Sequence, residues 1–302
     1  MTQTPALSTN GGTSESGVRR VHPAQIDIDD VERTDTDTRA RGRIEAPVTL
    51  APRNAVEHAR SDDDNFDDFD DLDIELVVFD MAGTTVRDDG LVERAFVLAA
   101  ESSGIAATEA ARRESLNYVR ETMGQSKIEV FRELTDNESE AIAANAAFEA
   151  AYGELIAQVG VRAIDGAEAV FRELRDAGVK VVLTTGFSRR TQDALIDALG
   201  WADLIDLSLC PSEAGRGRPY PDLPLTALLR TGASGVAAMV VVGDTASDIL
   251  SGASAGAGLV VGVRSGAHDS EMLEAAGADV VIDSVAHLAE LLGLRAELIR
   301  RS

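Results

Sequence analysis

Cysteine is almost missing from this 302-residue chain. Cys210 stands alone, so no intrachain disulfide can form, and the expected setting is a reducing cytoplasm. No stretch approaches the roughly 18 uninterrupted apolar residues that would cross a bilayer, so no transmembrane helix is expected. The opening MTQTPALSTN has neither a basic start nor an apolar core, and VHPAQIDIDD after Arg19-Arg20 is not apolar, so neither a secretory nor a twin-arginine signal is read. Positive charge is scarce too. Lys and Arg total 28 against 52 Asp and Glu, a net charge of -24 that argues against nucleic acid or an anionic membrane as a partner. Lysine is the scarcest basic residue: Lys127 and Lys180 leave 28 − 2 = 26 arginines. A chain that uses arginine for its solvated positive charge makes a lysine more apt to be needed as an amine; Lys180, just before a strand, keeps the reading of a solvated charge.

What is present divides the chain. Residues 1–72 carry no sustained periodicity, are rich in Thr, Ser, Asp, Arg and Gly, and end in SDDDNFDDFDD, the composition of a solvated, disordered acidic tail. Order is expected from Asp73. IELVVF (74–79) reads as a strand buried on both faces. From Leu91 to about Gly160 the apolar spacing is helical throughout, in four segments, with Gly104 and Gly124 where C-terminal caps would fall. Strands and helices then alternate: AEAVFRELRDAG, VKVVLTT, SRRTQDALIDALG with Ser188 as N-cap, LIDLSLC, PDLPLTALLRTG, MVVVGD, TASDILSGASAG, LVVGV, EMLEAAGA, DVVI and VAHLAELLG. The alternation predicts an α/β fold, a doubly wound Rossmann-like parallel sheet over 73–88 and 163–302. An all-helical cap over 89–162 is inserted after the first strand. Ligands of such sheets bind beyond the carboxyl ends of the strands, where the insert emerges and can act as a lid.

Four strand ends carry or lead into polar residues: Asp80; Thr184-Thr185-Gly186; GRGRPYP with Arg216 and Arg218; and VVGDTASD with Asp244 and Asp248. Taken singly, each has a bland reading, since an Asp at a strand end is most often a cap or turn residue. Taken together in this order they form a set for an Mg²⁺-bound phosphoryl group. Asp80 and Asp244 are hard oxygen ligands, and Asp248, one helical turn on, would orient the metal shell. Thr185 and Gly186 suit phosphoryl oxygens, and Arg218 neutralises charge that would repel an attacking carboxylate. Asp80 is the expected nucleophile, forming an aspartyl-phosphate.

With DMAGTT, LTTG, the GRPYP arginine and GDTASD in view, the chain from Ile74 to Leu292 resembles the haloacid dehalogenase superfamily of phosphohydrolases. DxAGTT, with Ala82 in place of a second Asp, is similar to the phosphonoacetaldehyde hydrolases and their phosphonatase-like sister clade. RETMGQSKIEVFREL resembles the family's Met-Gly-x-x-Lys segment, whose lysine, Lys127 in this chain, forms a Schiff base with the substrate aldehyde. The resemblance implies an Mg²⁺ cofactor that takes the main-chain carbonyl of Ala82, an arginine in the third motif as at Arg218, and a homodimer formed through the cap. Departures mark the carbon end of the pocket. Val130 stands where a His follows the lysine, Phe187 where a Tyr follows TTG, and the RDDG loop is one residue longer before Gly90.

Ala82 removes the acid that protonates a departing alkoxide, help worth roughly 10² to 10⁴-fold. A C–P bond poses a different problem, because the leaving carbon must hold electrons. An imine on the adjacent carbon supplies that sink, and needs a neutral amine, which desolvation of Lys127 under a closed lid would give. The expected activity is therefore hydrolysis of a small phosphonate. The alternatives are a phosphomonoesterase acting on a good leaving group of a small phosphorylated metabolite, and a non-catalytic protein that binds a phosphorylated ligand.

Overall fold

The computed structural model describes residues 73–106 and 108–294, and the expected tail over 1–72 lies outside them. In chain order the first strand, β1 (Leu76–Asp80), is followed by α1 (Leu91–Ser103), α2 (Glu109–Glu121), α3 (Lys127–Leu134) and α4 (Glu138–Val159). Then come α5 (Ala167–Asp176), β2 (Lys180–Thr184), α6 (Arg189–Leu199), β3 (Leu207–Leu209), α7 (Pro211–Ala214) and α8 (Asp222–Thr231). The series ends with β4 (Met239–Gly243), α9 (Ala246–Ala255), β5 (Leu259–Val263), α10 (Ser270–Ala275), β6 (Val280–Ile282) and α11 (Leu288–Leu291).

The six strands form one parallel sheet in the order β3-β2-β1-β4-β5-β6. Every residue of β1, β4 and β5 is buried, which is why these segments read as unbroken apolar runs. Alternate side chains serve opposite faces. Val77, Phe79, Val181, Leu183, Val240 and Val242 pack with Phe171 and Leu174 of α5, whereas Leu76, Val78, Val182 and Val241 pack with Leu223 and Ala227 of α8 and Ile249 of α9. The chain reverses direction across the sheet between β1 and β4, and the topological switch point there is where ligands of open α/β sheets bind.

Local boundaries differ from the sequence reading in a few places. β1 starts at Leu76 rather than Ile74 and includes Asp80. Gly124 does not cap α2. Thr122 takes that position, its N–H donating to the Arg120 and Tyr118 carbonyls, and Gly124 lies two residues on at φ +85°. VAHLAELLG forms a 3₁₀ turn, Val285–His287, before the short α11. Gly104 and Ser188 hold their expected caps, Ser188 accepting the Thr191 N–H.

The helical insert joins the sheet through two chains that run side by side. Val86 and Ala163 form an antiparallel bridge, with Arg87 N–H donating to the Arg162 carbonyl at 2.9 Å and Ile164 N–H to that of Thr85 at 2.8 Å. Away from this hinge, α4 reaches the start of α6. Glu149 of α4 accepts the Ser188 N–H at 3.1 Å, the Ser188 hydroxyl at 2.8 Å and the Thr191 hydroxyl. Phe187 lies against Tyr152 and Phe148 of α4, with ring centroids 4.6 and 6.1 Å apart. The insert is thus seated on the carboxyl ends of the strands.

Candidate active site

β1 and β2 run in parallel register and place Asp80 beside Thr184. Arg218 bridges the strand ends. Its Nη1 lies 2.6 Å from Asp80 Oδ1, its Nη2 donates to the Thr184 hydroxyl at 2.5 Å, and its Nε lies 2.8 Å from Asp248 Oδ1. Thr184 in turn donates to the Phe79 carbonyl. All four residues are buried. Burial raises the Asp80 carboxyl to about 7, against the opposing pull of Arg218. For Arg218, burial works against the charge, and Asp248 and Asp80 more than offset it.

Asp244 follows β4 across the switch point. Its Oδ1 accepts the Thr84 hydroxyl and its Oδ2 the Ala267 N–H, each at 2.8 Å. Gly83, at φ +93°, brings the loop after β1 so close that an added Cβ would collide with the Asp244 carboxylate. Asp248 closes a capping box at the start of α9: its Oδ2 accepts the Thr245 N–H and hydroxyl, and its own N–H donates to the Thr245 hydroxyl.

Each of Asp80, Asp244 and Asp248 contributes an oxygen within 4.8 Å of the others, all three side chains being buried. Burial, then the charges of Asp80 and Asp248, raise Asp244 well above the ordinary carboxylate range. Three carboxylates this close in a dry site need cations to stay ionised. Arg218 supplies one. The remaining demand, met by hard oxygen donors, fits Mg²⁺. Ala82 lines the same cavity as Asp80 and Asp244, whereas Asp248 sits behind it.

That cavity encloses about 1020 Å³ between sheet and insert. Thr185 and Gly186 form part of its wall. The Thr185 hydroxyl accepts the Phe187 N–H at 3.2 Å, leaving its proton for a further acceptor. The Gly186 carbonyl takes the Lys127 N–H at 3.2 Å, which fixes the start of α3 against the strand ends. Gly124 makes this approach possible, because a Cβ there would strike the Thr245 hydroxyl. Lys127 is only 8 % exposed, and its Nζ lies 5.8 Å from the Phe187 ring centroid. Burial lowers its amine, Asp80 and Asp88 push it back up, Arg218 lowers it and Glu149 raises it. Such a side chain is a desolvated amine in one cavity with the Asp80 carboxylate, and desolvation favours the neutral form that attacks carbonyl carbon.

Every residue singled out from the sequence falls around this cavity or directly behind it, with two exceptions among those discussed. Arg216 is exposed and pairs with Asp222 at 2.7 Å. Val130 is buried in the apolar packing of the insert and does not line the cavity, so its replacement of a polar residue shapes the site only indirectly. Three further residues were not anticipated. Thr84 fixes Asp244. His268 lines the cavity, takes the Ala246 N–H on Nδ1 at 2.9 Å and sets Nε2 3.4 Å from the Arg120 carbonyl of α2. Asp88, in the lengthened loop, also lines it. His268 was open to detection by the strand-end rule, since RSGAHD follows β5. Asp88 lies in the RDDG loop that the extra residue already marked, but nothing local distinguished it from Asp89.

Haloacid dehalogenase-like hydrolases match residues 74–256. The phosphonoacetaldehyde hydrolase of Bacillus cereus (strain AH187) is 30 % identical over 203 residues, 61 % of this chain and 73 % of that protein. The probable phosphatase IndB of Dickeya dadantii (strain 3937) is 26 % identical over 231 residues, 75 % of this chain and 96 % of its own length. Among solved structures, a phosphonoacetaldehyde hydrolase like protein from Oleispira antarctica superposes with a TM-score of 0.61 at 27 % identity, covering 76 % of this chain and 95 % of that one. The parallel sheet, the carboxylates at its switch point and the match over most of the described residues agree: the chain belongs to the haloacid dehalogenase-like hydrolases.

Proposed function

We propose that this hydrolase cleaves the C–P bond of phosphonoacetaldehyde or a closely related small phosphonate. The observation that carries the reading is a buried amine, Lys127, in one cavity with Asp80, while Ala82 stands where an acid for an alkoxide leaving group would be. Names among the relatives point the same way. Mg²⁺, held by Asp80, Asp244 and the Ala82 carbonyl with Asp248 behind them, would neutralise phosphoryl charge.

The chain's own groups do the rest. Thr185, Gly186 and Arg218 hold the phosphoryl oxygens. Burial favours the neutral form of Lys127, which condenses with the aldehyde to an imine and releases water. Asp80 attacks phosphorus; the C–P electron pair moves into the protonated imine and the carbon leaves as an enamine on Lys127. Water then hydrolyses the aspartyl-phosphate, and protonation and hydrolysis of the enamine free the lysine.

Borohydride with phosphonoacetaldehyde is expected to leave a reduced adduct on Lys127 and to inactivate the enzyme. Absence of the adduct, together with full activity in Lys127→Arg, would sink the imine. A second reading, a phosphatase for a phosphoester with a good leaving group, is favoured by the name of the Dickeya relative and uses every core residue without needing Lys127. A ³¹P NMR screen over phosphonates and phosphoesters separates the two, since it reports C–P and P–O cleavage together.

A further inference from the structure

Imine formation moves protons at nitrogen and at the carbonyl oxygen, and the residues considered so far leave that traffic unassigned. The positions where the resemblance places polar groups hold Val130, packed away from the cavity, and Phe187, an apolar wall. The other titratable side chains near Lys127 have partners or other work. Arg218 is tied to Asp80 and Asp248, and Glu149 receives three donors from the start of α6. Tyr152 packs against Phe187, the rings tilted by 34°, and does not line the cavity, and burial, with the charges of Asp88, Asp80 and Glu149, raises its phenol far above its ordinary range.

Asp88 differs from all of these. It lines the cavity that Lys127 and Asp80 share, and it comes from the loop between the Val86–Ala163 bridge and α1. Its Oδ1 accepts the Val92 N–H at 3.1 Å, and the Gly90 N–H also acts on the carboxylate. A carboxylate has about four lone-pair sites, so these two contacts leave it able to take a proton. Burial raises the Asp88 carboxyl; the Val92 N–H, Lys127 and the Gly90 N–H pull it down and Asp89 raises it. Lys127 is lowered by burial, as described. In water the two groups titrate roughly six pH units apart. Moving both inward narrows that gap and eases proton exchange between two groups that line one cavity.

We propose that Asp88 is the proton carrier of imine formation, a role that rests on the imine reading above. The Asp88 carboxylate takes a proton from the Lys127 ammonium, and the neutral amine attacks the carbonyl carbon. The C–N bond forms, the C=O π bond breaks, and a proton passes from nitrogen to the alkoxide. Asp88 then returns its proton to the hydroxyl of this carbinolamine. The C–O bond breaks, water leaves, the nitrogen lone pair completes the protonated imine, and Asp88 is a carboxylate again. Charge balances: ammonium and aldehyde become iminium and water.

The test is the rate of borohydride trapping of Lys127 by phosphonoacetaldehyde, in the full chain, for wild type and Asp88→Asn. Asparagine keeps the oxygen that accepts the Val92 N–H, so the start of α1 is preserved; thermal unfolding and Asp88→Ala, which loses that bond, calibrate the structural share. The sign of the change discriminates. A carboxylate that merely sits near Lys127 holds the proton on the amine, so its removal would speed trapping. A purely structural cap predicts no change in Asp88→Asn. A proton carrier predicts trapping slowed about 10²-fold, with the pH dependence below the Lys127 titration lost. An unchanged or faster rate overturns the role of Asp88 and leaves the imine standing. A wild-type enzyme that traps nothing at any pH removes the imine itself, and the role of Asp88 with it.

Discussion

The two ends of the cavity are made differently. At the phosphoryl end, Asp80, Thr185, Arg218 and Asp244 all come from the carboxyl ends of the strands or the loops beyond them, and hydrogen bonds and ion pairs among buried groups lock Asp80, Arg218 and Asp244 in place. At the carbon end, Lys127 comes from the insert, Phe187 from the loop after β2 and Asp88 from the hinge. The first set is held mainly by partners within the sheet layer. The second is assembled from sheet, connecting loop and insert together. On the proposed reading, the groups that handle phosphorus sit in the sheet layer, and those that handle the leaving carbon sit where the insert meets it.

The sharpest way to break this contrast is to disable one end and read the other. Asp80→Asn should lower phosphate release about 10⁴-fold or more, yet borohydride trapping on Lys127 should persist undiminished, because Asp80 holds the proton on that amine. Loss of trapping would show that the two ends are not separable. Metal binding tests the phosphoryl end alone. Mg²⁺ at a hundredfold excess over its Kd should stabilise the wild type by about 2.7 kcal/mol and raise its Tm. Asp244→Asn should abolish that rise. A rise retained in the variant would place the ion elsewhere.

Seating of the insert can be weakened without touching either set of reacting groups. Gly124 holds a left-handed conformation against the Thr245 hydroxyl. Gly124→Ala adds a Cβ to both problems, a cost of roughly 1–2 kcal/mol, so kcat/KM should fall about tenfold, with trapping reduced in parallel. Glu149→Gln removes the charge that receives Ser188 and Thr191 at the far edge, worth about 1 kcal/mol. Its KM should rise severalfold with kcat held. If Gly124→Ala slowed phosphate release without slowing trapping, the carbon end would not depend on closure.

The same contrast decides what could be read from the chain. Asp80, Thr185, Arg218 and Asp244 are each local to a strand end, and a strand buried on both faces announces its end as the place where an apolar run stops. The sheet and the four helices of the insert were legible for the same reason. Lys127 was found through its scarcity and its local motif. Asp88, Glu149 and Tyr152 were not, because what gives them meaning is the meeting of segments about 40 residues apart, which neither periodicity nor spacing encodes. Phe187 stands out as a departure, but its packing against Tyr152 and Phe148 depends on α4 of the insert. Gly124 was read as a helix cap, although its geometry serves the approach to Thr245.

The smallest effect concerns the buried amine alone. Lys127 is lowered by burial in the folded chain, while in the unfolded chain it titrates near its ordinary value of about 10.4. Between those values the unfolded state binds more protons than the folded one, so this group makes stability rise with pH, by at most about 1.4 kcal/mol per pH unit. Below the folded value both states are charged, and above about 10.4 both are neutral, so the contribution is flat on either side. Lys127→Met removes the term. The stability of the wild type minus that of Lys127→Met, from denaturant unfolding at successive pH values above 8, should therefore climb towards pH 10. Reading it above 8 keeps Asp80, which titrates at about 7, outside the window. A flat difference would mean that the amine is as well solvated as one on the surface. The carbon end of the cavity would then lack the neutral nucleophile on which its contrast with the phosphoryl end depends.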